Sequence, residues 1–260
     1  MNRMIMIPVV ALALLSCSVK EDRSECACRL TVDLSSCAGA GELIRIRVLT
    51  ADEVIERDFI PGEDSPLYEI PVSKGRCSLE AFLCPQGLQA GTGAISVAPG
   101  DGCPELYAFC STFQAAGETA GQKVELHKHF SEITLILEDS PWDSPCCSFL
   151  VTAPSAGLSL PEMQAAGGGF RFQVPYSGPG QRLFRLPRQR EGDADRILLE
   201  LTAPDGYHQT IEIGLMLREW GFDWNAEDLP DAVLSIRGGE VSLQIAGADW
   251  EIQDMSTVEI

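Results

Sequence analysis

The sequence predicts an all-β protein built from β-sandwiches, and three observations lead to that prediction. Apolar and polar residues alternate with a period of two along most of the chain, which is typical of strands with one buried face. Clusters of glycine, proline and acidic residues separate these segments, as at 61–64 and 99–102. The 260 residues include 24 glycines and 16 prolines, which favours turn-rich β structure over a helical bundle.

Apolar residues spaced two apart identify the individual strands. Leu30 and Val32 alternate with polar residues, so one face of the first strand is predicted to be buried. A short helix is expected near 215–220, where Ile213, Leu217 and Trp220 would share one face. Further strands are predicted at Ile44/Ile46/Val48, Cys77/Leu79/Ala81/Leu83, Ile133/Leu135/Leu137, Phe149/Val151, Phe170/Phe172/Val174, Ile197/Leu199/Leu201, Leu234/Ile236 and Val241/Leu243/Ile245.

The composition narrows the classes of function. Hydrophobic residues make up 45% of the chain and charged residues 22%, which predicts a folded core and not a disordered chain. With 19 lysines and arginines against 38 acidic residues, the net charge is -19. Binding to nucleic acid or to an anionic membrane requires a basic face, so neither is expected as a charge-driven partner. Ten cysteines indicate an exported protein.

The first residues have the proportions of an export signal. Arg3 is followed by an uncharged stretch from Ile5 to Leu15, which is too short to span a bilayer. The Ser-Cys pair that ends at Cys17 resembles the lipobox of bacterial lipoproteins. We expect cleavage before Cys17 and its acylation with chains such as palmitate, and the alternative is a secreted protein with Cys17 in a disulfide. The charged residues 18–23 resemble the signal that sends Bacteroides-type lipoproteins to the outer face of the outer membrane.

The strand pattern divides the mature chain into two blocks. After a signal peptide at 1–16 and a lipidated cysteine with its tether at 17–27, the first sandwich is predicted at 28–138. Residues 139–147 contain two prolines and two serines, which cannot continue a central strand, and we interpret them as a linker. The alternation then restarts and predicts a second sandwich with a tail at 148–260. The domain organisation is therefore two consecutive β-sandwiches.

Three segments carry a family resemblance. The first runs from Cys17 through a charged tether and a C-x-C pair at 26–28 into an alternating strand. The second is Gly221-Phe-Asp-Trp224 with Leu229-Pro-Asp231 ahead of a strand, and the third is a strand that ends in Gly247-Ala-Asp-Trp250. Together they resemble the FimB-type fimbrial anchor lipoproteins of Bacteroides-like bacteria. The chain departs from that pattern at Ala27, where proline is expected, and in its larger number of cysteines.

This resemblance implies two transthyretin-like β-sandwiches and a place at the base of a surface fimbrium. The protein would be held in the outer membrane by the lipid on Cys17, exposed at the cell surface. It would contact the first stalk subunit by β-strand pairing, in which main-chain hydrogen bonds supply affinity. The expected function is structural, with no catalytic residues and no cofactor. A surface glycan-binding lipoprotein is the alternative, and tryptophans exposed on one platform would favour it.

The cysteines are the first candidates for chemistry. Nine remain besides Cys17, and an odd number cannot pair completely within one chain. The C-x-C pair at 26–28 and the adjacent pair at 146–147 could supply thiolates, but the two C-x₂₋₄-C arms of a structural zinc site are absent from the sequence. We therefore interpret the cysteines as disulfides or buried thiols, with no metal bound. The pool expected to pair within the first block is Cys77, Cys84, Cys103 and Cys110.

Histidines and tryptophans are the remaining candidates. His127 and His129 would face the same side of a strand, as a metal site requires, but no further ligand is spaced near them, so we expect a solvent-exposed pair at a strand end. The sequence contains no G-x-S-x-G, H-E-x-x-H or Ser-x-x-Lys motif. The tryptophans Trp220, Trp224 and Trp250 could stack on sugars, although such residues are more often part of a core.

The last ten residues show no clean apolar face. Ile252 shares its face with Asp254 and Ser256 as well as with Val258 and Ile260. We predict that this tail is weakly held and free to contribute to a subunit contact. A frayed terminus is the alternative.

Overall fold

The structure of the protein is a computed structural model, and it confirms the all-β sandwich prediction. Among the residues that it describes, 21 strands form five sheets, with one α-helix and two short 3₁₀ segments. The strands are numbered β1 to β21 in chain order. The described residues are 26–37, 42–137, 139–237, 240–245 and 258–259.

Two sheets form the first sandwich. The strand order of the first is β4 (Leu67–Val72), β1 (Cys28–Asp33) and β9 (Thr119–Lys123), with β1 antiparallel to β4 and parallel to β9. The second contains, in order, β10 (His127–Lys128), β8 (Tyr107–Ala115), β5 (Gly75–Leu83), β2 (Ile44–Leu49) and β3 (Val54–Phe59).

The core of the first sandwich follows the predicted alternation. Cys28, Leu30 and Val32 are fully buried, whereas Arg29, which lies between Cys28 and Leu30, is exposed. The predicted positions in β2 and β5 meet them across the sandwich, because the inward side chains of both sheets belong to one hydrophobic cluster. These strands therefore form for the reason that the sequence indicates, since alternate apolar residues bury one face of each sheet.

Two further sheets form a second sandwich. The first contains, in order, β16 (Gln181–Pro187), β11 (Phe130–Ile136), β19 (Ala232–Arg237), β20 (Glu240–Ile245) and β21 (Val258–Glu259). The second contains β15 (Phe170–Gln173), β12 (Ser148–Ala153), β17 (Leu198–Thr202) and β18 (His208–Ile211). Their inward side chains form the larger hydrophobic core.

A fifth sheet joins parts of the chain from before and after the predicted linker. Its strand order is β14 (Gln164–Ala166), β13 (Gly157–Ser159), β7 (Ala94–Val97) and β6 (Leu88–Gly91). Only two residues connect β6 to β7, and Gly93 in this turn has a φ of 72°, which a residue without a side chain adopts at little cost.

The hydrogen bonding of the sheets crosses the predicted linker at 139–147. Strand β11 precedes it but pairs with β16 and β19, and β7 pairs with β13. The linker residues form no strand, as their prolines imply, yet Trp142 and Cys147 are buried in the second core. The arrangement as two consecutive sandwiches is therefore not confirmed. Composition marks a local break in the strand pattern, but it does not determine which strands pair across that break.

The α-helix α1 spans Ile213–Glu219 and confirms the predicted short helix. Ile213 and Leu217 are buried on one face, and Trp220 directly after the helix is half-buried. The 3₁₀ segments are Ser35–Cys37 and Glu191–Arg196. In the part of the chain that the structure describes, no helix has the length and apolar character needed to cross a membrane.

Candidate subunit interface

Several edge strands carry residues that discourage pairing with another chain. Charged side chains and prolines at a sheet edge have this effect because they oppose burial and remove hydrogen-bond donors. Strand β3 contains Glu56, Arg57 and Asp58 in succession, β4 contains Pro71, and β16 ends at Pro187. These three edges are therefore poor templates for an added strand.

The outer edge of β20 lacks this protection. Its sequence, Glu-Val-Ser-Leu-Gln-Ile, contains one charged residue and no proline. All six residues pair with β19 on the inner side, but β21 pairs only with Glu240 and Val241 on the outer side. Within the described residues, Ser242–Ile245 have no partner strand on that side. Their main-chain groups can accept a further strand.

The register of β20 is fixed by its side chains. Val241 and Leu243 are fully buried in the second core, and Gln244 is exposed on the opposite face. A slip of one residue would exchange these faces, so the core holds the strand in one register. The edge that β20 presents is therefore preformed in one register, which lowers the entropic cost of adding a strand.

The chain that enters β19 is held by side-chain hydrogen bonds. The Asp228 carboxylate accepts a hydrogen bond from the backbone N–H of Lys128 at 2.7 Å. The Asp231 carboxylate accepts one from the backbone N–H of Glu132, also at 2.7 Å. Asp231 belongs to the second segment of the family resemblance and Asp228 directly precedes Leu229 of that segment, and the two carboxylates fix the start of β19 against β10 and β11.

Arg188 is the strongest fixed point of the same region. Its guanidinium is buried and donates hydrogen bonds to the carbonyl oxygens of Trp224, Ala226 and Glu227. Its Nε also donates to Nδ1 of His129 at 3.0 Å. The guanidinium thus supplies hydrogen bonds to main-chain oxygens of a loop that is not part of a sheet. It also links this loop, which precedes β19, to the end of β16.

His129 is buried, and the expectation of a solvent-exposed histidine pair is wrong for this residue. Its side chain packs beside Arg188, whereas His127 is half-buried between Glu227 and Asp228. Burial and the positive charge of Arg188 lower the pKa of His129 to about 4. The ring is therefore neutral at pH 7, and Nδ1 can accept the hydrogen bond from Arg188.

The pKa of His129 predicts a loss of stability in acid. The pKa of about 4 in the folded state lies below the ordinary value of 6.5, so the unfolded chain binds more protons between these pH values. The contribution is fully present above pH 6.5 and is lost as the pH falls toward 4. We expect His129→Gln to remove about 3 kcal/mol of this pH dependence.

The measurement is urea unfolding of both proteins at pH 7 and pH 4. His208→Gln is the matched control, because the His208 side chain is exposed and its removal leaves the core unchanged. An equal pH dependence in wild type and His129→Gln would contradict the assignment.

The other predicted site residues are the lipidated cysteine with its tether and the tryptophans. Cys17, the tether at 18–23 and Trp250 lie outside the described residues. Trp224 is buried, so it cannot form an exposed sugar platform. Within the described part of the chain, no group of three or more histidine, cysteine or acidic side chains is arranged to hold a metal ion.

The cysteines expected to pair with one another are divided between the two cores. Cys77 lies in the first core, and Cys103 lies in the second, where burial raises its pKa to about 12. Cys84 is half-buried near Arg45, and Cys110 contacts the Ser78 hydroxyl at 3.5 Å. The nine described cysteines are free thiols in the structure. The expected pool therefore does not form a cluster.

A buried ion pair between the cores was not anticipated from the sequence. Arg47 and Glu80 are neighbours on β2 and β5, and their charged groups are 4.0 Å apart. Arg47 also donates to the carbonyl oxygen of Gly91 in β6 and lies over the Phe82 ring. Burial raises the pKa of Glu80, and Arg47 opposes that change. The alternation correctly places both residues opposite the first core, but that face is covered by the fifth sheet.

One open cleft has the wrong chemistry for the sugar-stacking alternative. It has a volume of about 550 Å³ and lies between the loop at 167–169 and the 3₁₀ segment at 191–196. Arg190 and Arg196 are among its lining residues, but none of the lining residues is aromatic. A polysaccharide platform that depends on aromatic stacking therefore finds no support in this cleft.

Comparison with solved structures identifies proteins that share this fold. No family model and no curated protein sequence matches the chain. Among solved structures, the fimbrial anchor protein Mfa2 from Porphyromonas gingivalis superposes with a TM-score of 0.59 at 12% identity, covering 86% of this chain and 98% of Mfa2. A candidate adhesin from Bacteroides thetaiotaomicron gives 0.61 at 12% identity, with 90% and 98% covered.

A candidate polysaccharide-binding protein from Bacteroides thetaiotaomicron has a TM-score of 0.62 at 9% identity, with 84% of this chain and 96% of that chain covered. The protein thus has the fold of Bacteroides-type surface adhesins. The resemblance seen in the sequence is confirmed at the level of that fold, which Mfa2 shares over nearly its whole length.

Proposed function

We propose that the protein is a fimbrial subunit, anchored in the outer membrane, that attaches a surface fimbrium to the cell and contacts the first stalk subunit. The outer edge of β20 carries this proposal, because among the described residues no strand pairs with Ser242–Ile245 on that side. The fold shared with Mfa2 supports it. The role is structural and needs neither a catalytic residue nor a cofactor.

Strand pairing at this edge explains how the contact would form. An added strand gains one set of main-chain hydrogen bonds from β20, and alternate side chains give it specificity. The chain's own Val258–Glu259 already pairs with the start of β20. Exchange of this short ladder for a longer strand of the stalk subunit would increase the number of main-chain hydrogen bonds, and the displaced tail would be free to pair in return.

A chain that ends at Trp250 tests the contact. It lacks β21, whose described ladder contains two residue pairs, so we expect the melting temperature to change by less than about 3 °C. We expect cells that express it to shed fimbriae into the medium or to carry fimbriae of altered length. Electron microscopy of cells and immunoblots of the medium measure these outcomes.

A chain that ends at Glu259 is the matched control, since it keeps both pairs of the ladder. It should behave as wild type. If cells with the chain ending at Trp250 carry normal, attached fimbriae, the tail and its ladder have no role in assembly.

The lipid anchor is tested by Cys17→Ala. Without a thiol at position 17, no acyl chain can be attached there. The lipid is the only membrane anchor in this proposal, so the variant should not be held in the membrane. We expect loss of radiolabelled palmitate incorporation and release of the protein from the membrane fraction. Cys26→Ala is the control, because Cys26 lies in the same segment and should leave labelling unchanged. Continued labelling of Cys17→Ala would contradict the proposal.

A further inference from the structure

Two buried thiols lie at one corner of the first sandwich. Cys28 is the first residue of β1 in one sheet, and Cys77 lies in β5 of the facing sheet. Their side chains are 0% and 1% exposed, and both belong to the first core. They therefore enter the same core from opposite sheets.

The chain path brings the two sheets together at this corner. Only Ser73 and Lys74 join β4 in the first sheet to β5 in the second. Cys28 is the direct partner of Val72, the last residue of β4, and such partners have Cα atoms about 5 Å apart. The sulfur of Cys77 lies 3.7 Å from the carbonyl oxygen of Ser73, which follows Val72. Both thiols thus lie beside the same two-residue connection.

The electrostatics of Cys77 agree with this placement. Burial raises the pKa of the Cys77 thiol, and the charge of Cys28 raises it further. Cys37, the other buried cysteine of the first core, instead contacts the carbonyl oxygen of Val124 beyond the end of β9. Of the described cysteines, Cys28 is therefore the one placed to pair with Cys77.

We propose that Cys28 and Cys77 form a disulfide that links the two sheets of the first sandwich in the exported protein. One of the two cysteines first attacks the disulfide of a thiol oxidoreductase and forms a mixed disulfide with it. The thiolate of the other cysteine then attacks this mixed disulfide, which forms the Cys28–Cys77 bond and releases the reduced oxidoreductase. The two thiols lose two protons and two electrons, and the disulfide of the oxidoreductase is reduced to two thiols. The exchange takes place before the core closes, since both sulfurs are buried in the folded chain.

The bond deepens the proposed function and rests on it for its mechanical role. A pull on the fimbrium would reach the fold through the tether, which leads directly into β1 at Cys28. A covalent link from the first residue of β1 to Cys77 passes this force into β5, which pairs with both β2 and β8. The hydrogen bonds that hold β1 between β4 and β9 are then outside the path of the force.

The test is peptide mapping of the full-length lipoprotein, purified without reductant and alkylated in denaturant. Trypsin with a glutamyl endopeptidase releases Cys77 in the peptide 77–80 and Cys28 in the peptide 26–29, and we expect these two peptides to be joined. Cys26→Ser identifies which cysteine of 26–29 is bonded, because the link should persist in this variant. Alkylation of Cys77 as a free thiol, or its linkage to another cysteine, would overturn the proposal.

Thermal unfolding gives a second readout. A reductant should lower the melting temperature of the wild type by about 10 °C, because the bond closes a long loop, and should leave Cys28→Ala unchanged. An equal response of both proteins to the reductant would also overturn the proposal. Neither measurement depends on fimbriae, so a mapped bond stands even if the anchor role fails.

Discussion

Replacement of Arg188 with methionine is expected to lower the free energy of unfolding by roughly 3 kcal/mol. Methionine fills similar space but cannot donate, so the carbonyl oxygens of Trp224, Ala226 and Glu227 lose their partner. Nδ1 of His129 loses its donor as well. Part of the loss is recovered because Glu227 is an exposed residue that water can reach, and because the cost of burying a charge disappears.

Urea unfolding at pH 7 measures this change, and two variants sharpen it. Arg188→Lys keeps the charge but cannot reach four acceptors with one amine, so it should lose nearly as much stability. Arg190→Met is the matched control, since the Arg190 side chain is exposed and its Nε makes one hydrogen bond of 3.3 Å to the Ala165 carbonyl. A loss below about 1 kcal/mol in Arg188→Met would contradict the role given to this guanidinium.

Arg188 also shows where prediction from the sequence ends. It lies in the segment Pro-Arg-Gln-Arg-Glu, which reads as a charged turn on the surface. Three of its acceptors are main-chain oxygens more than 30 residues away. Every residue type has a main-chain oxygen, so the sequence does not show which ones a buried arginine will contact. Gln189 is hidden in the same way, since its amide pairs with the backbone N–H and carbonyl of Ser155.

The strands themselves could be predicted because their cause is local. Alternation at Leu30/Val32 and Leu234/Ile236 requires only that one face of a strand is buried, and these residues are buried as expected. Which strands become neighbours is a different question. Ile133 and Leu135 carry the same pattern in either sandwich, so nothing local reveals that β11 pairs with β16 and β19. The edge of β20 could not be located from the sequence for the same reason.

The fifth sheet gives a direct test of how tightly the two parts of the chain are joined. Gly157 in β13 pairs with Ser96 in β7, and the two backbones approach closely there. A Cβ atom on Gly157 would lie 2.2 Å from the carbonyl oxygen of Ile95 and 2.8 Å from Cα of Ser96. These are main-chain atoms in paired strands, which cannot move aside without breaking the ladder.

We therefore expect Gly157→Ala to reduce the free energy of unfolding by about 3 kcal/mol and to abolish hydrogen-exchange protection in β6, β7, β13 and β14. The second core should loosen as well, since Ile95 and Val97 of β7 belong to it. Gly168→Ala is the matched control, because no atom lies within 4 Å of its added Cβ. If Gly157→Ala unfolds at the same midpoint as Gly168→Ala, the fifth sheet contributes nothing measurable to holding the two parts of the chain together.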